Sequence, residues 1–142
     1  MTLFLRSGEM MKVADNQYCF VCGVKNPLGL KAVLEVDQAA NSASCCLSIP
    51  AEFQGWEGLV HGGVIAALLD EVCAYAGMTV AEQVVTGELK TRYRKPVPVE
   101  RPVTVTAKAG ERTRRTVTVE AQLAMEGEVL ASGEATMVII KG

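Results

Sequence analysis

The chain lacks an excess of charge of either sign and lacks any long apolar run. Its 142 residues carry 14 basic and 16 acidic side chains, which give a net charge of -2. A protein that binds nucleic acid needs a concentrated basic surface, so this balance argues against a nucleic-acid partner. No uninterrupted apolar stretch reaches the roughly 20 residues of a transmembrane helix, and the most apolar segment contains Asp70 and Glu71. We therefore expect no membrane partner.

The sequence also lacks an export signal and internal repeats. The apolar run at residues 3–5 is too short for the apolar part of a signal peptide. Five cysteines are an odd number, which fits a reducing compartment better than a disulfide framework. These features predict a cytoplasmic protein with one domain over residues 1–142, in which residues 1–15 form a loose N-terminus.

One strong helix signal stands between several strand signals. Residues 62–76 are rich in Ala, Leu, Ile and Val, and their apolar positions nearly encircle a helix, as in a buried helix. The order of elements predicts an α+β fold in which an antiparallel sheet curls round this helix and leaves an edge that favours dimerisation. The strand candidates show extended or alternating patterns, at residues 30–36, 42–49, 84–93, 103–109, 117–125 and 129–140.

A short motif stands at the head of the helix. Val60, His61, Gly62 and Gly63 are followed by Asp70, nine residues after the histidine. This motif resembles the thioesterase branch of the hotdog-fold superfamily, which includes the phenylacetate-pathway and 4-hydroxybenzoyl-CoA thioesterases. The similarity covers nearly the whole chain and includes further segments at residues 19–23, 26–30 and 53–56, and Tyr93 with Pro96.

The resemblance implies hydrolysis of an acyl-CoA or aryl-CoA thioester by a homodimer or homotetramer, at a site shared by two subunits. It implies that Asp70 is the nucleophile or general base and that Thr86 lies beside the water. The amide that polarises the thioester carbonyl belongs to Gly62 or Gly63. Relatives of the phenylacetate type have an asparagine six residues before the histidine, where this sequence has Gly55, so the role of that asparagine does not transfer. We expect no cofactor.

The same residues suit the chemistry of thioester hydrolysis. An attacked carbonyl develops negative charge, and free amides at a helix N-terminus, unobstructed at two glycines, can stabilise it. A carboxylate such as Asp70 can attack the carbonyl or activate water. Along a helix, the nine residues from His61 to Asp70 rise about 13 Å and turn about 900°, which separates the two groups. A second subunit, related by a two-fold axis, must therefore complete the site.

Other roles for these residues stay open. His61, the only histidine, either orients the loop and the glycine amides, which we favour, or acts as an acid or base. Asp70 could be a buried acid paired with Arg or Lys, and Gly62 and Gly63 could serve close packing alone. Glu71 lies about 100° round the helix from Asp70. We expect it to be solvated or ion-paired rather than catalytic.

Further side chains are candidates for substrate binding. Phe53 and Trp56 either line the acyl pocket or fill the core. Arg94, Lys95 and Arg114 are candidates for contacts with CoA phosphates, although most charge clusters are solvated surface. The acyl group cannot be read from the sequence.

Cys19 and Cys22 have the CxxC spacing of half a zinc site or of a redox pair. Spacing does not assign Cys45, Cys46 or Cys73 as the remaining ligands. We therefore predict a packed N-terminal turn and no metal centre.

Two other functions compete with hydrolysis. A hotdog dehydratase acting on hydroxyacyl thioesters would use a histidine with an acid, and His61 followed by two glycines argues against it. A non-catalytic protein that binds acyl-CoA is also compatible with the fold. The presence of Asp70 favours an enzyme.

Overall fold

The described chain forms one long helix and one six-stranded antiparallel sheet. The structure is a computed structural model that describes residues 13–140; residues 1–12, which include most of the N-terminus expected to be loose, and residues 141–142 lie outside it. Helix α1 spans Gly62–Gly77, and a short 3-10 turn, Ala51–Phe53, precedes it. The strands are β1 Glu35–Asp37, β2 Ser42–Ser48, β3 Val84–Tyr93, β4 Pro102–Arg112, β5 Thr116–Met125 and β6 Glu128–Ile139.

The strands lie in the order β1-β2-β4-β5-β6-β3, so β1 and β3 form the two edges. Every pairing is antiparallel. The predicted α+β architecture is confirmed. Within residues 13–140, no helix has the length and apolarity needed to cross a bilayer.

Helix α1 packs against the inner face of this sheet and contacts five of its strands. The helix residues that face the sheet are buried: Ile65, Leu68, Leu69, Val72, Cys73 and Ala76. Burial of each large side chain of this kind contributes about 1.5–3 kcal/mol. The other face of α1 is only half-buried in the single chain, and it carries small residues and one acid: Ala66, Ala67, Asp70 and Ala74.

The first strand candidate, residues 30–36, is only partly a strand. Strand β1 is confined to Glu35–Asp37. The backbone N–H groups of Leu30 and Ala32 donate instead to the carbonyl oxygens of Phe20 and Val21, at 2.9 and 2.8 Å. The prediction was wrong for residues 30–34 because these backbone groups bind the preceding turn rather than a neighbouring strand.

A β-bulge interrupts β3 at Gly87. Thr86 pairs with Met137 of β6 and Glu88 pairs with Thr136, so Gly87 is an extra residue without a partner in the register. Side chains on a strand alternate between faces, and one extra residue reverses that alternation. Thr86 before the bulge and Tyr93 after it, an odd number of residues apart, therefore both face α1.

We expect Gly87→Ala to lower the free energy of unfolding by about 1–3 kcal/mol, because an added methyl group overpacks the bulge. A Cβ at this position would lie 2.9 Å from Val138 Cγ2 and 3.2 Å from the Thr136 carbonyl oxygen. Urea unfolding followed by circular dichroism measures the change. Glu88→Ala, at the next and exposed position, is the matched control. Equal stability of the two variants would contradict this account of the bulge.

Candidate active site

His61 caps the N-terminus of α1. Its Nδ1 accepts a hydrogen bond from the backbone N–H of Gly63 at 2.8 Å, and its carbonyl oxygen accepts from the N–H groups of Val64 and Ile65 at 2.9 and 3.1 Å. A neutral imidazole whose Nδ1 accepts carries its proton on Nε2. The ring is thus held by the helix it begins.

This cap distinguishes the two glycine amides that the sequence left as alternatives. The Gly63 N–H is occupied by the His61 ring. Among residues 13–140, no acceptor lies within hydrogen-bond reach of the Gly62 N–H. The first amide of a helix carries part of the positive end of its dipole, so Gly62 offers a donor for a developing oxyanion.

Asp70 lies at the border between the sheet and the half-buried face of α1. Thr86 donates a hydrogen bond from its Oγ1 to Asp70 Oδ1 at 2.5 Å. Within the described residues the carboxylate has no Lys or Arg partner, so the alternative of a buried ion pair is not realised there. The structure thus brings together two of the predicted site residues, Asp70 and Thr86, and leaves Oδ2 available to another donor.

Asp70 and the Gly62 amide stand at different levels of the same helix. The eight residues between them correspond to about 12 Å along its axis. A thioester carbonyl bound at Gly62 is therefore out of reach of the Asp70 carboxylate of the same chain.

A cleft opens beside the N-terminus of α1. A cavity of about 420 Å³ is bordered by Gly62 and Ile65 of the helix, by Trp56, and by the segment that follows β3. A second cavity of about 370 Å³ shares Trp56 and Gly62 and adds Gly55 and His61. The lining is mostly apolar, which suits an acyl or aryl group.

Three of the five predicted substrate-binding residues border this cleft. Trp56 is 85% exposed, so it does not fill the core, and it lies beside Arg94 and Lys95 in the cleft lining. Lys95 also forms an exposed ion pair with Glu128 at 2.5 Å. A cation at a cleft rim can bind a phosphate of a ligand that enters.

Phe53 and Arg114 lie elsewhere in the chain. Phe53 packs against the core and makes an edge contact with Phe20, with ring centroids 6.1 Å apart. Arg114 lies in the β4–β5 turn, where the neighbouring Arg115 carbonyl accepts from Ile139. The cleft lies near Ala131, the partner of Tyr93, about 26 Å away along β6. Within one chain, Arg114 cannot contact a ligand at Gly62.

Gly55 lets the preceding loop pass close to the cap. A Cβ at Gly55 would lie 3.3 Å from both Cα and Cδ2 of His61. The loop is held by the His61 N–H, which donates to the Phe53 carbonyl at 3.0 Å, and by the Gly55 N–H, which donates to the Leu59 carbonyl at 2.9 Å. The asparagine of the phenylacetate-type relatives has no counterpart here because the loop and ring are already in contact.

Tyr93 is a site residue to which the sequence assigned no role. Its hydroxyl donates to the Gly62 carbonyl at 2.8 Å, and its ring lies about 3.5 Å from where a Gly62 Cβ would stand. Tyr93 therefore fixes the first peptide of α1 and forms one wall of the cleft. The signal available in the sequence was its place in the motif with Pro96.

The cysteines do not provide a thiolate nucleophile. Burial raises the pKa of the Cys22 and Cys73 thiols to about 12 and that of the Cys45 thiol to about 11. These thiols stay protonated near neutral pH and are poor nucleophiles. Cys19, Cys22 and Glu71 form the one cluster in the described part of the chain that could hold a metal ion. Glu71 was expected to be solvated or ion-paired, but it accepts hydrogen bonds from both thiols.

The comparison with known proteins identifies the family. A sequence profile of the thioesterase superfamily matches residues 57–132. The chain belongs to the thioesterase superfamily. The match begins just before the His-Gly-Gly motif and ends within β6, so it includes Asp70, Thr86 and Tyr93.

Similar proteins support the same placement. The acyl-coenzyme A thioesterase THEM4 of Rattus norvegicus is 27% identical over 140 residues, which cover 97% of this chain but only 58% of the rat protein. A crystal structure of a thioesterase superfamily protein superposes with a TM-score of 0.80 and 32% identity, covering 86% of this chain and 63% of that one. Phenylacetic acid degradation protein PaaI of Thermus thermophilus gives a TM-score of 0.69 and 25% identity, over 75% and 93%. These likenesses confirm the predicted hotdog fold.

We expect His61→Ala to lower the free energy of unfolding by about 1 kcal/mol, as loss of a helix N-cap does. His61→Asn should retain most of the stability, since asparagine is a good N-cap. Urea unfolding of both variants and the wild type measures the difference. If His61→Asn is as damaging as His61→Ala, the ring stabilises the structure by something other than capping.

Proposed function

We propose that the chain is an acyl-CoA thioesterase that hydrolyses an acyl-CoA or aryl-CoA thioester to the free acid and CoA. The observation that carries this proposal is the Gly62 N–H, which lacks an acceptor within residues 13–140 and borders an apolar cleft. Such a donor can stabilise the oxyanion that forms when a thioester carbonyl is attacked. Arg94 and Lys95 at the cleft are proposed to bind the phosphates of CoA.

The active site is proposed to be shared between two subunits. Two surfaces support this assembly: the unpaired edge of β3 and the half-buried, small-residue face of α1 at Ala66, Ala67 and Ala74. An unpaired edge strand invites pairing with another strand, and small residues let two helices approach closely. With β3 and α1 each antiparallel to its copy across a two-fold axis, Asp70 of one subunit comes near Gly62 of the other.

Asp70 is proposed to act as a general base in this site. Thr86 holds Oδ1, so Oδ2 takes a proton from a water whose oxygen attacks the carbonyl carbon. The Gly62 N–H stabilises the resulting oxyanion. When the intermediate collapses, the C–S bond breaks and the proton on Asp70 passes to the leaving thiolate of CoA. A single turnover in ¹⁸O-labelled water would place label in Asp70 only if that carboxylate attacked directly.

Hydroxyacyl-thioester dehydration is less well supported. A dehydratase histidine must remove a proton from the substrate, whereas the His61 Nδ1 is occupied by the Gly63 N–H. Non-catalytic binding of acyl-CoA would leave Asp70 without a task, although Thr86 is placed against it.

We expect Asp70→Asn to lower the rate of acyl-CoA hydrolysis by at least about 100-fold, because the amide cannot accept the proton from water. The nearly isosteric side chain should leave the fold intact. A panel of aryl-CoA, short-chain and medium-chain acyl-CoA esters, assayed by release of free CoA, measures the rate and identifies the acyl group. Glu120→Gln, an exposed acid of β5, is the control and should keep full activity. Wild-type rates from Asp70→Asn would end the assignment of Asp70.

Mixing inactive subunits tests the shared site. Gly62→Pro removes the N–H donor and keeps a residue that is accepted at the first helical position. A heterodimer of Asp70→Asn with Gly62→Pro has both defects in one site and none in the other. We expect a random equimolar mixture to recover about a quarter of the wild-type activity, since about half of the dimers are mixed and each has one intact site.

Demonstrated heterodimers without activity would contradict the shared site, provided that the Gly62→Pro subunit is folded. Circular dichroism checks its fold. Gly62→Ala, which keeps the N–H, is the matched variant and should be active by itself.

A further inference from the structure

Three potential metal ligands meet where the N-terminal segment crosses α1. Glu71 follows Cys19 and Cys22 by 52 and 49 residues, yet its carboxylate oxygens lie 3.1 Å from Cys19 Sγ and 3.5 Å from Cys22 Sγ. The ligand atoms of all three residues lie within 4.8 Å of one another. We infer that Cys19, Cys22 and Glu71 form a zinc site that fastens the N-terminal segment to α1.

The distances suit tetrahedral coordination. Zinc binds thiolates at about 2.3 Å and carboxylate oxygens at about 2.0 Å, so neighbouring sulfur and oxygen ligands lie about 3.5 Å apart. The two sulfur–oxygen distances differ little from this value. Adjustments of side chains alone can therefore bring the three ligands round one ion.

The turn that carries the thiols is built before any ion arrives. The Gly23 N–H donates to the Cys19 carbonyl at 2.9 Å, and a Cβ at Gly23 would lie only 2.3 Å from the Cys19 nitrogen. The turn is thus so tight that it requires glycine. The Val21 N–H donates to Cys19 Sγ at 3.4 Å, and such a bond stabilises a sulfur that becomes a thiolate.

The charge on Glu71 also points to a cation. Both ion pairs found within residues 13–140 involve other acids, and the carboxylate of Glu71 is half-buried. Its partners there are two thiols, which are weak hydrogen-bond donors. A buried carboxylate without strong donors or a counter-ion is costly. When zinc binds, the two thiol protons pass to solvent, and the dication replaces them without changing the net charge of the site.

The carboxylate favours zinc over a reversible disulfide. Formation of a Cys19–Cys22 disulfide would remove both donors from Glu71 and leave its charge half-buried. Two thiolates with one carboxylate are a ligand set that zinc accepts. The fourth position faces a cavity of about 360 Å³ that Cys22 and Tyr75 border, through which a water molecule can reach the ion.

Cobalt substitution tests the site directly. Protein purified under reducing conditions and freed of metal by a chelator is titrated with Co²⁺, whose thiolate complexes absorb strongly in the near ultraviolet. We expect one equivalent of Co²⁺ per chain to bind and one equivalent of Zn²⁺ to displace it. Zn²⁺ should also raise the thermal midpoint of the protein by mass action.

Variants locate the ion. Cys22→Ser and Glu71→Gln should each weaken Zn²⁺ binding by at least about 100-fold, since loss of a ligand exceeds the 10–100-fold effect of losing an outer-shell partner. Cys46→Ser is the matched control, because this thiol is exposed and outside the cluster, and it should bind Zn²⁺ like the wild type.

Absence of a stoichiometric Co²⁺ complex in the wild-type protein would overturn the proposal, and this measurement does not depend on any variant folding. Unchanged affinity in folded Glu71→Gln would also overturn it. A further contradictory result is a Cys19–Cys22 disulfide that forms in air as fast with excess Zn²⁺ as without. None of these measurements uses thioester hydrolysis, so their outcome is independent of the proposed enzyme activity.

Discussion

Burial of α1 against the inner face of the sheet fixes the groups that are proposed to act. Leu68, Leu69 and Val72 are fully buried, and exposure of any one of them would cost about 1.5–3 kcal/mol. The helix therefore cannot rotate about its axis. With that rotation set, Asp70 emerges at the border of the sheet beside Thr86, and Glu71, about 100° further round, faces the two N-terminal thiols.

The bulge at Gly87 adapts β3 to this fixed helix. Thr86 must face α1 to bind Asp70, and Tyr93 must face it to bind the Gly62 carbonyl. These residues are seven apart, and a regular strand would turn them to opposite faces. One extra residue between them lets a single edge strand serve both ends of the helix.

Periodicity in the sequence was sufficient for the helix and the long strands. Strand β3 was predicted with the bounds that it has, and α1 ends one residue beyond its predicted end. Residues 30–34 were misread because a strand and a segment bonded to a preceding turn share the same extended pattern. The bulge had a signal, an isolated glycine within a strand pattern, but a glycine does not say which face the next side chain takes.

The site was predictable only as far as local motifs reach. The His-Gly-Gly motif with Asp70 indicates both a helix N-terminus and an acid, yet it cannot say which glycine amide the His61 ring occupies. Phe53 and Trp56 are three residues apart with equal claims to the cleft, and the loop that turns between them sends one to the core and one to solvent. Partners distant in sequence, such as Glu71 for Cys19, are fixed by the packing of α1 and have no local signal.

The pairing of acids at the middle of α1 links the two proposals physically. Asp70 and Glu71 are consecutive, so one turn of helix must satisfy two carboxylates in an apolar setting, and it does so on different sides: Thr86 on one and Cys19 with Cys22 on the other. The first side leaves a carboxylate oxygen for water, which suits a base. The second side occupies both oxygens, which suits a fixed ligand. An ion held at Glu71 would immobilise the backbone that carries Asp70, and a base held within hydrogen-bond reach of its water is the condition for efficient proton transfer.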